Sequence, residues 1–242
     1  MIKEAMQWIE SKVLEAQKKD QIKIGDDTYT EKDLKLVLPH VDRCDTLRLN
    51  NLSMLITNVK NELKDDIHDL PLILNVEETK VTCLTSYDIK KGRQTPFVAN
   101  AELPRIDFNQ YMPVEQMIIQ LQTCFKENDN KSKLIELISK LSKDTTVELC
   151  DDGISQKVVA KEGVSTNSYV TLPPLVKLIP QRTFYEVNQP EQTFLLRIDN
   201  NCRVALFDAD GGAWTYQCQQ SIISYLKEQL ASEIEAEKVI VG

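Results

Sequence analysis

The sequence has no long apolar stretch. The longest candidate, LPLILNV at residues 70–76, has the length of a strand, whereas a membrane-spanning helix needs about 20 apolar residues. The first residues, MIKEAMQWIESKVLEAQ, mix charged and apolar side chains and lack the apolar core of a signal peptide. We therefore expect a protein that is neither secreted nor inserted in a membrane.

Histidine is scarce and the cysteines are scattered. The chain has two histidines, His40 and His68, and six cysteines without a C-x-x-C pair. A zinc site normally presents closely spaced ligands, and a secreted disulfide scaffold is shorter and richer in cysteine. The pattern predicts reduced thiols in a cytoplasmic protein. Two histidines also supply few general bases, and no G-x-S-x-G motif marks a nucleophile.

Glycine-rich phosphate loops and a surplus of basic residues are also missing. Neither G-x-G-x-x-G nor G-x-x-x-x-G-K-[ST] occurs, which argues against Rossmann and nucleotide-hydrolase chemistry. The 37 acidic and 29 basic residues give a net charge of −8, whereas non-specific nucleic-acid binding needs excess Lys and Arg facing phosphates. Bulk nucleic-acid binding is not expected, although a local basic groove stays open as an alternative.

The apolar periodicity predicts an α+β fold. Helical spacing predicts an N-terminal helix ending near Lys19, a helix over residues 52–63 capped by Asn50 or Asn51, a helical hairpin over residues 113–141, and a long C-terminal helix over residues 214–230. Alternation predicts antiparallel sheets. The strands are expected in a hairpin at residues 21–30, a meander at 72–103, and a strand-turn-strand unit at 147–161. From residue 169 the strands are expected to continue through 175–179, 183–187, 193–198 and 203–208.

The length of 242 residues suits one large domain or two of ordinary size. We interpret residues 1–105 as an N-terminal helix with a small β-meander, and residues 106–242 as the helical hairpin, an antiparallel sheet and the C-terminal helix. One continuous domain is the alternative, because no Gly/Ser linker marks a boundary. Prolines at positions 173, 174, 180 and 190 indicate edge strands, which favour pairing between copies of the chain.

Three arginines in strand-like segments, Arg182, Arg197 and Arg203, are candidates for binding an anion. Guanidinium groups recognise carboxylate and phosphate with a forked geometry. Phe184 and Tyr185 lie beside Arg182 in the sequence and could pack on a ligand. These five residues form the predicted ligand-binding set. The alternative is that each arginine pairs with Glu186, Glu191, Asp199 or Asp208, and that the aromatic residues form core.

Two acidic turns, one with Asp151 and Asp152 and one with Asp208 and Asp210, are candidates for a metal site. Clustered carboxylates at strand ends can hold Mg²⁺ or Mn²⁺ for phosphodiester hydrolysis. The alternative is that Asp and Gly simply form turns. The second turn lacks the EF-hand spacing, because glycine already stands at its fourth position. We predict no cofactor.

Several segments resemble conserved uncharacterised proteins encoded by phages and prophages of Gram-positive bacteria. The resemblance rests on the helix at residues 52–63 and on PVEQMIIQLQTCF, DDGISQ, PQRTFYEVNQP and DADGGAW. It implies an origin in a phage-infected or lysogenic bacterium and action in the host cytoplasm. The resemblance assigns no catalytic residue to this chain.

The leading hypothesis is a non-enzymatic, self-assembling phage protein that binds a small anionic ligand or a host protein. Its specific form is sequestration of a nucleotide-type signal used in host defence. One alternative is a metal-dependent nuclease or phosphoesterase that uses Asp151, Asp152, Asp208 and Asp210. Another is an accessory protein of phage DNA metabolism that binds single strands through a local basic groove.

Overall fold

The computed structural model describes residues 2–18, 21–24, 27–30, 44–65, 70–88, 90–140, 146–148, 156–162 and 166–242. The chain divides into two compact units, one of residues 1–45 and 86–94, and one of residues 46–85 and 95–242. The interpreted boundary between residues 105 and 106 falls inside the second unit, and a domain division there stays a prediction. In the described residues, no helix has the length and apolar character needed to cross a membrane.

The first unit contains the predicted N-terminal helix and hairpin. Helix α1 (Ile2–Lys18) is followed by β1 (Gln21–Ile24) and β2 (Asp27–Thr30), which pair antiparallel. Both predictions are confirmed. The apolar stripe of α1 is exposed, because Met6, Ile9 and Val13 keep 67%, 56% and 52% of their accessible surface.

The second unit carries the candidate site. Its elements in chain order are β3 (Leu47–Leu49), α2 (Leu52–Glu62), β4 (Leu72–Val76), β5 (Lys80–Leu84), β6 (Phe97–Asn100), β7 (Met112–Pro113), α3 (Val114–Cys124), α4 (Asp129–Ser139), β8 (Thr146–Glu148), β9 (Gln156–Glu162), β10 (Thr166–Leu172), β11 (Leu175–Leu178), β12 (Gln192–Ile198), β13 (Arg203–Asp208), α5 (Ala213–Gln229), α6 (Ala231–Glu235) and β14 (Val239–Val241). The α+β class, the central helical hairpin and the C-terminal helix are confirmed.

The first core of this unit lies between a five-stranded sheet and two helices. The sheet has the order β14-β4-β5-β6-β3, in which β4, β5 and β6 form the predicted antiparallel meander. Its two edge strands, β14 and β3, instead pair parallel with their neighbours, so the sheet is mixed. Leu55 and Val59 of α2 and Ile222 and Leu226 of α5 are buried in this core, because these positions repeat at helical spacing.

The second core lies between a four-stranded antiparallel sheet and the helical hairpin. The sheet has the order β11-β12-β13-β7. Along β12, Phe194, Leu196 and Ile198 are buried and alternate with half-buried residues, as expected for a strand with one face on the core. Met117 of α3 and Leu134 of α4 belong to the same buried cluster. A separate antiparallel sheet has the order β10-β9-β8.

Residues 183–187 form a turn, so the strand predicted there is wrong. The Val187 N–H donates to the Phe184 carbonyl, and the Gln189 side chain takes the place of a neighbouring strand. Gln189 Oε1 accepts from the N–H groups of Arg182 and Thr183, at 2.9 and 3.0 Å. Its Nε2 donates to the carbonyls of Thr183 and Phe184. The alternating pattern of this segment is typical of a strand. The buried Gln189 amide, however, hydrogen-bonds the backbone groups that a neighbouring strand would otherwise have paired.

Candidate functional site

The three predicted arginines lie in different surroundings. The Arg182 side chain is only 11% exposed, and its Nη2 donates to Asp208 Oδ1 at 2.9 Å. Arg203 forms an ion pair of 2.7 Å with Asp199. Arg197 donates to the carbonyl of the preceding residue and has no ion pair with any described residue. The pairing alternative therefore holds for Arg182 and Arg203.

The predicted aromatic partners are also dispersed. Phe184 is 1% exposed and belongs to the first core, whereas Tyr185 is 59% exposed. Arg197 lies on the face of β12 opposite Phe194, because side chains alternate along a strand, while the Arg182 guanidinium lies 5.8 Å from the Phe194 ring. The structure thus does not gather the five predicted residues, and their ligand-binding role stays a prediction.

Arg182 is instead held by two aromatic rings that lie far from it in the sequence. Its Cζ is 3.9 Å from the ring centroid of Phe108 and 4.7 Å from that of Trp214. Phe108 in turn stacks on Phe194, with centroids 5.2 Å apart and planes at 4°. Cation–π contacts of this kind are worth about 0.5–2 kcal/mol each, more when the cation is shielded from water. The guanidinium is therefore fixed in place by aromatic packing as well as by Asp208.

Backbone contacts fix Arg182 and Phe108. The N–H of Gln181 donates to the carbonyl of Cys124, the last residue of α3, at 2.9 Å. On the other side, Asn109 takes a left-handed conformation with φ of 60°, its N–H donates to the Leu206 carbonyl, and its Oδ1 accepts from the Asp208 N–H. Asn109 thereby ties the segment that carries Phe108 to strand β13.

Trp214 is placed by the acidic turn before α5. Gly211 and Gly212 have φ of 64° and 83°, a region that side chains with a Cβ rarely adopt. The Asp210 side chain accepts from the Gly212 N–H at 3.1 Å. The turn brings Trp214 into the first turn of α5, beside Arg182.

These residues line a cavity of about 330 Å³ that opens to solvent. This volume lies at the lower end of the roughly 300–1,000 Å³ usual for small-molecule sites. Most of the wall is apolar. The lining residues are Thr79, Leu103, Pro104, Ile106, Phe108, Gln181, Arg182, Asp208 and Trp214.

The cavity has unused hydrogen-bonding groups. Arg182 uses one side-chain N–H for Asp208, and its Nε and Nη1 have no hydrogen-bond partner among the described residues. Asp208 Oδ2 likewise has none there. Gln181 also lines the cavity, but its Oε1 is buried away from the cavity surface and has no hydrogen-bond partner among the described residues. The cavity is therefore equipped to accept a polar ligand.

Three other cavities, of about 410, 500 and 490 Å³, lie in the second unit. In the first, Glu186 Oε1 already accepts from the N–H groups of Leu52 and Ser53. In the second, the Gln120 side-chain amide accepts from the Asp107 N–H and donates to the Asp107 carbonyl. The third is lined mainly by apolar residues beside β14. Among described residues, none of the three has a buried polar side-chain atom without a partner.

The aspartates of the metal hypothesis have other partners or lie outside the described residues. The Asp208 side chain is paired with Arg182, and the Asp210 side chain accepts from the turn backbone. The turn interpretation therefore accounts for Asp210, and the arginine-pairing alternative accounts for Asp208. Asp151 and Asp152 fall outside the residues that the structure describes. In the described part of the chain, no group of three or more His, Cys, Asp or Glu residues could hold a metal ion.

Cys218 lies close to the site but is not activated. Burial raises the pKa of its thiol to about 11, with Glu78 adding to the shift and Thr183 and Arg182 opposing it. The thiol is therefore protonated at neutral pH, and a nucleophile requires the thiolate.

Comparisons of the chain with protein-family models, with curated proteins and with solved structures found no match. The resemblance to phage proteins accordingly stays a prediction.

Proposed function

We propose that the protein is a non-enzymatic binding protein that holds the ring of a small nucleotide-type ligand in the Arg182 cavity. The observation that carries the proposal is a shielded guanidinium with unused donors, next to an Asp208 carboxylate whose Oδ2 has no partner among the described residues, within an aromatic wall. Aromatic side chains stack on nucleobases with about 1–3 kcal/mol per base. An arginine donates hydrogen bonds to acceptors on the polar edges of the same rings.

The ligand's ring, and not its phosphate, belongs in this cavity. Asp208 already compensates the charge of Arg182 at 2.9 Å, so a phosphate there would meet a carboxylate as well as a guanidinium. An uncharged ring avoids this repulsion and also covers the apolar wall. The phosphates would lie toward solvent at the open side of the cavity.

The wider role follows from the resemblance and is part of the proposal. A protein that binds a signalling nucleotide without converting it would sequester that signal in the host cytoplasm. The absence of an activated nucleophile at Cys218 suits binding without turnover. Self-assembly and a phage origin remain expectations that the binding proposal does not require.

The test measures nucleotide binding to the full chain by tryptophan fluorescence and by calorimetry. Trp8 and Trp214 are the two tryptophans, so Trp8→Phe leaves Trp214 as the reporter. Arg182→Lys keeps the charge but loses the planar fork, and should weaken nucleotide monophosphate binding about tenfold or more, since charge-assisted hydrogen bonds are worth about 1.5–3 kcal/mol. The melting temperature should stay within a few degrees of the parent protein.

Arg48→Lys is the matched control, because Arg48 is exposed on β3 and is not among the residues that line the cavity. It should leave the affinity unchanged. The proposal is wrong if neither method detects binding of any common nucleotide monophosphate, or if Arg182→Lys binds as tightly as the parent protein.

A further inference from the structure

Helix α1 carries an apolar stripe that the described part of the first unit leaves uncovered. Met6, Ile9 and Val13 lie on one face of the helix, and each keeps more than half of its accessible surface. Within the first unit, α1 makes no extensive contact with β1 or β2. A surface helix normally turns its apolar face to the core, so an exposed stripe of this kind indicates an interaction surface.

The stripe has the spacing of a helix that packs along a second helix. Its members are separated by three and then four residues, which is the alternation of a and d positions in a heptad repeat. With Met6 and Val13 at a positions and Ile9 at a d position, Lys3 and Glu10 fall at e positions, which flank the stripe and meet the partner helix. Both side chains are exposed, and neither forms an ion pair with a described residue.

We propose that α1 pairs antiparallel with α1 of a second copy of this chain and so forms a homodimer. In this arrangement a positions pack against d positions, so Met6 of one copy lies on Ile9 of the other. The same register places Lys3 opposite Glu10 of the second copy, offset by only about 3 Å along the axis. Two-fold symmetry repeats the contact, so two ion pairs flank the apolar seam.

The charges favour this arrangement over other pairings of two copies. In a parallel pair, e positions face g positions, so Glu10 would meet Ala5 and gain no charged partner. An antiparallel pair shifted by one heptad would bring Glu10 against Glu10 of the second copy, which is repulsive. A second copy is the fitting partner because α1 itself carries both members of the ion pair, and complementary charges select partner and register.

The dimer should be weak and should not depend on ligand binding at the Arg182 cavity. Helix α1 has 17 residues and is therefore about 25 Å long. A seam of this length is smaller than a standard protein interface, and such small interfaces usually give weak, reversible association. We therefore expect dimers at micromolar and higher concentrations of the chain.

The test is analytical ultracentrifugation of the full chain over a range of concentrations. The parent protein should convert from monomer to dimer as its concentration rises. Ile9→Ser removes a central side chain of the seam and should weaken the dimer about tenfold or more. Lys3→Glu and Glu10→Lys each bring like charges together and should also weaken it. Lys133→Glu, at an exposed position of α4, changes the net charge as much as Lys3→Glu does and should leave the dimer unchanged.

Mixing the two charge variants tests the register. A copy with Lys3→Glu carries two flanking glutamates and a copy with Glu10→Lys carries two flanking lysines, so their mixed dimer has two pairs of opposite charges. The mixture should therefore dimerise more tightly than either variant alone, and a chain with both changes should recover the affinity of the parent protein. Circular dichroism of each variant should match that of the parent protein, because all of these positions are exposed.

Three outcomes would overturn the proposal. A chain that stays monomeric into the millimolar range would leave the stripe to a different partner. An Ile9→Ser dimer as tight as that of the parent protein would place the interface elsewhere. A mixture of the charge variants that dimerises no more tightly than the separate variants would rule out the antiparallel pairing.

Discussion

Glu186 caps a helix that lies far from it in the sequence, and removing its carboxylate should destabilise the second unit. Its Oε1 accepts from the N–H groups of Leu52 and Ser53, at 2.7 and 3.2 Å. Asn51 Oδ1 accepts from the Met54 N–H at 2.7 Å. The first turn of α2 thus has three of its otherwise free N–H groups satisfied by side chains. Glu186→Ala removes the capping side chain, and Glu186→Gln removes only its charge.

The expected cost of Glu186→Ala is about 2 kcal/mol. Loss of a single capping side chain typically costs about 1 kcal/mol, and Glu186 makes two such bonds with a charged acceptor at the positive end of the helix dipole. Glu186→Gln keeps an oxygen acceptor and loses the charge, so its cost should be about 1 kcal/mol. In a chain of this size 1 kcal/mol corresponds to roughly 2–4 °C in melting temperature.

Urea unfolding followed by circular dichroism measures the free energy, and amide hydrogen exchange localises the effect. The Leu52 and Ser53 amides should lose protection in Glu186→Ala before the rest of α2 does. Glu228→Ala is the matched control, because Glu228 is exposed on α5 and should change stability by less than about 0.5 kcal/mol. A loss in Glu186→Ala no larger than in this control would refute the capping argument.

Three further predictions concern individual side chains. Gln192 is 2% exposed, and neither of its amide atoms is hydrogen-bonded to a described residue, so Gln192→Met should stabilise the protein by about 1–2 kcal/mol in urea unfolding. Because burial raises the pKa of Cys218 to about 11, iodoacetamide at pH 8 should modify the exposed Cys44 and spare Cys218, as read by mass spectrometry. Burial alone would raise the pKa of the Asp199 carboxyl, but hydrogen bonds from Arg203 and the neighbouring backbone outweigh it and lower that pKa. Asp199 should therefore stabilise the fold above its unfolded pKa of about 3.9, and the stability difference between wild type and Asp199→Asn should vanish as the pH falls through the lowered folded value.

Each of these predictions has a control. Gln189→Met removes an amide with four hydrogen bonds and should destabilise the protein, so a loss of stability in both glutamine variants would contradict the argument. Cys218 should become reactive in urea, and its modification in the native state at pH 8 would disprove its protection. A pH-independent effect of Asp199→Asn would show that its carboxylate does not act through its charge.

Much of the fold was predictable because its signals are local. The apolar stripes of the helices and the alternation of β4, β5 and β12 lie within single segments. The sequence does not predict strands β3 and β14 as the edges of the five-stranded sheet. Each pairs parallel with a strand that is distant in the chain, and a three-residue segment carries too little pattern to name its partner.

The candidate site was predictable only in part. Arg182 is a candidate in the sequence because a guanidinium in a strand-like segment can recognise an anion, and its ligand-binding role stays a prediction. Phe108 and Gln181 were missed, since both lie in irregular segments and meet only through the packing of α3 and β13. Phe184 was chosen by its place in the sequence beside Arg182, yet the turn sends it into the first core. Neighbours in an irregular segment do not share a face as strand residues do.

The first core can be completed only late in synthesis. It needs β14 paired with β4 and α5 packed against it, and both elements lie near the C-terminal end of the given sequence. Strands β4 to β6 leave the ribosome about a hundred residues before α5, a delay of roughly 10 s at an elongation rate of about 10 residues per second. The residues of the second core, from Met112 to Leu206, are all translated within that interval. The hairpin and its sheet can therefore form first and present the turn at residues 183–187, on which α2 and the earlier sheet then assemble.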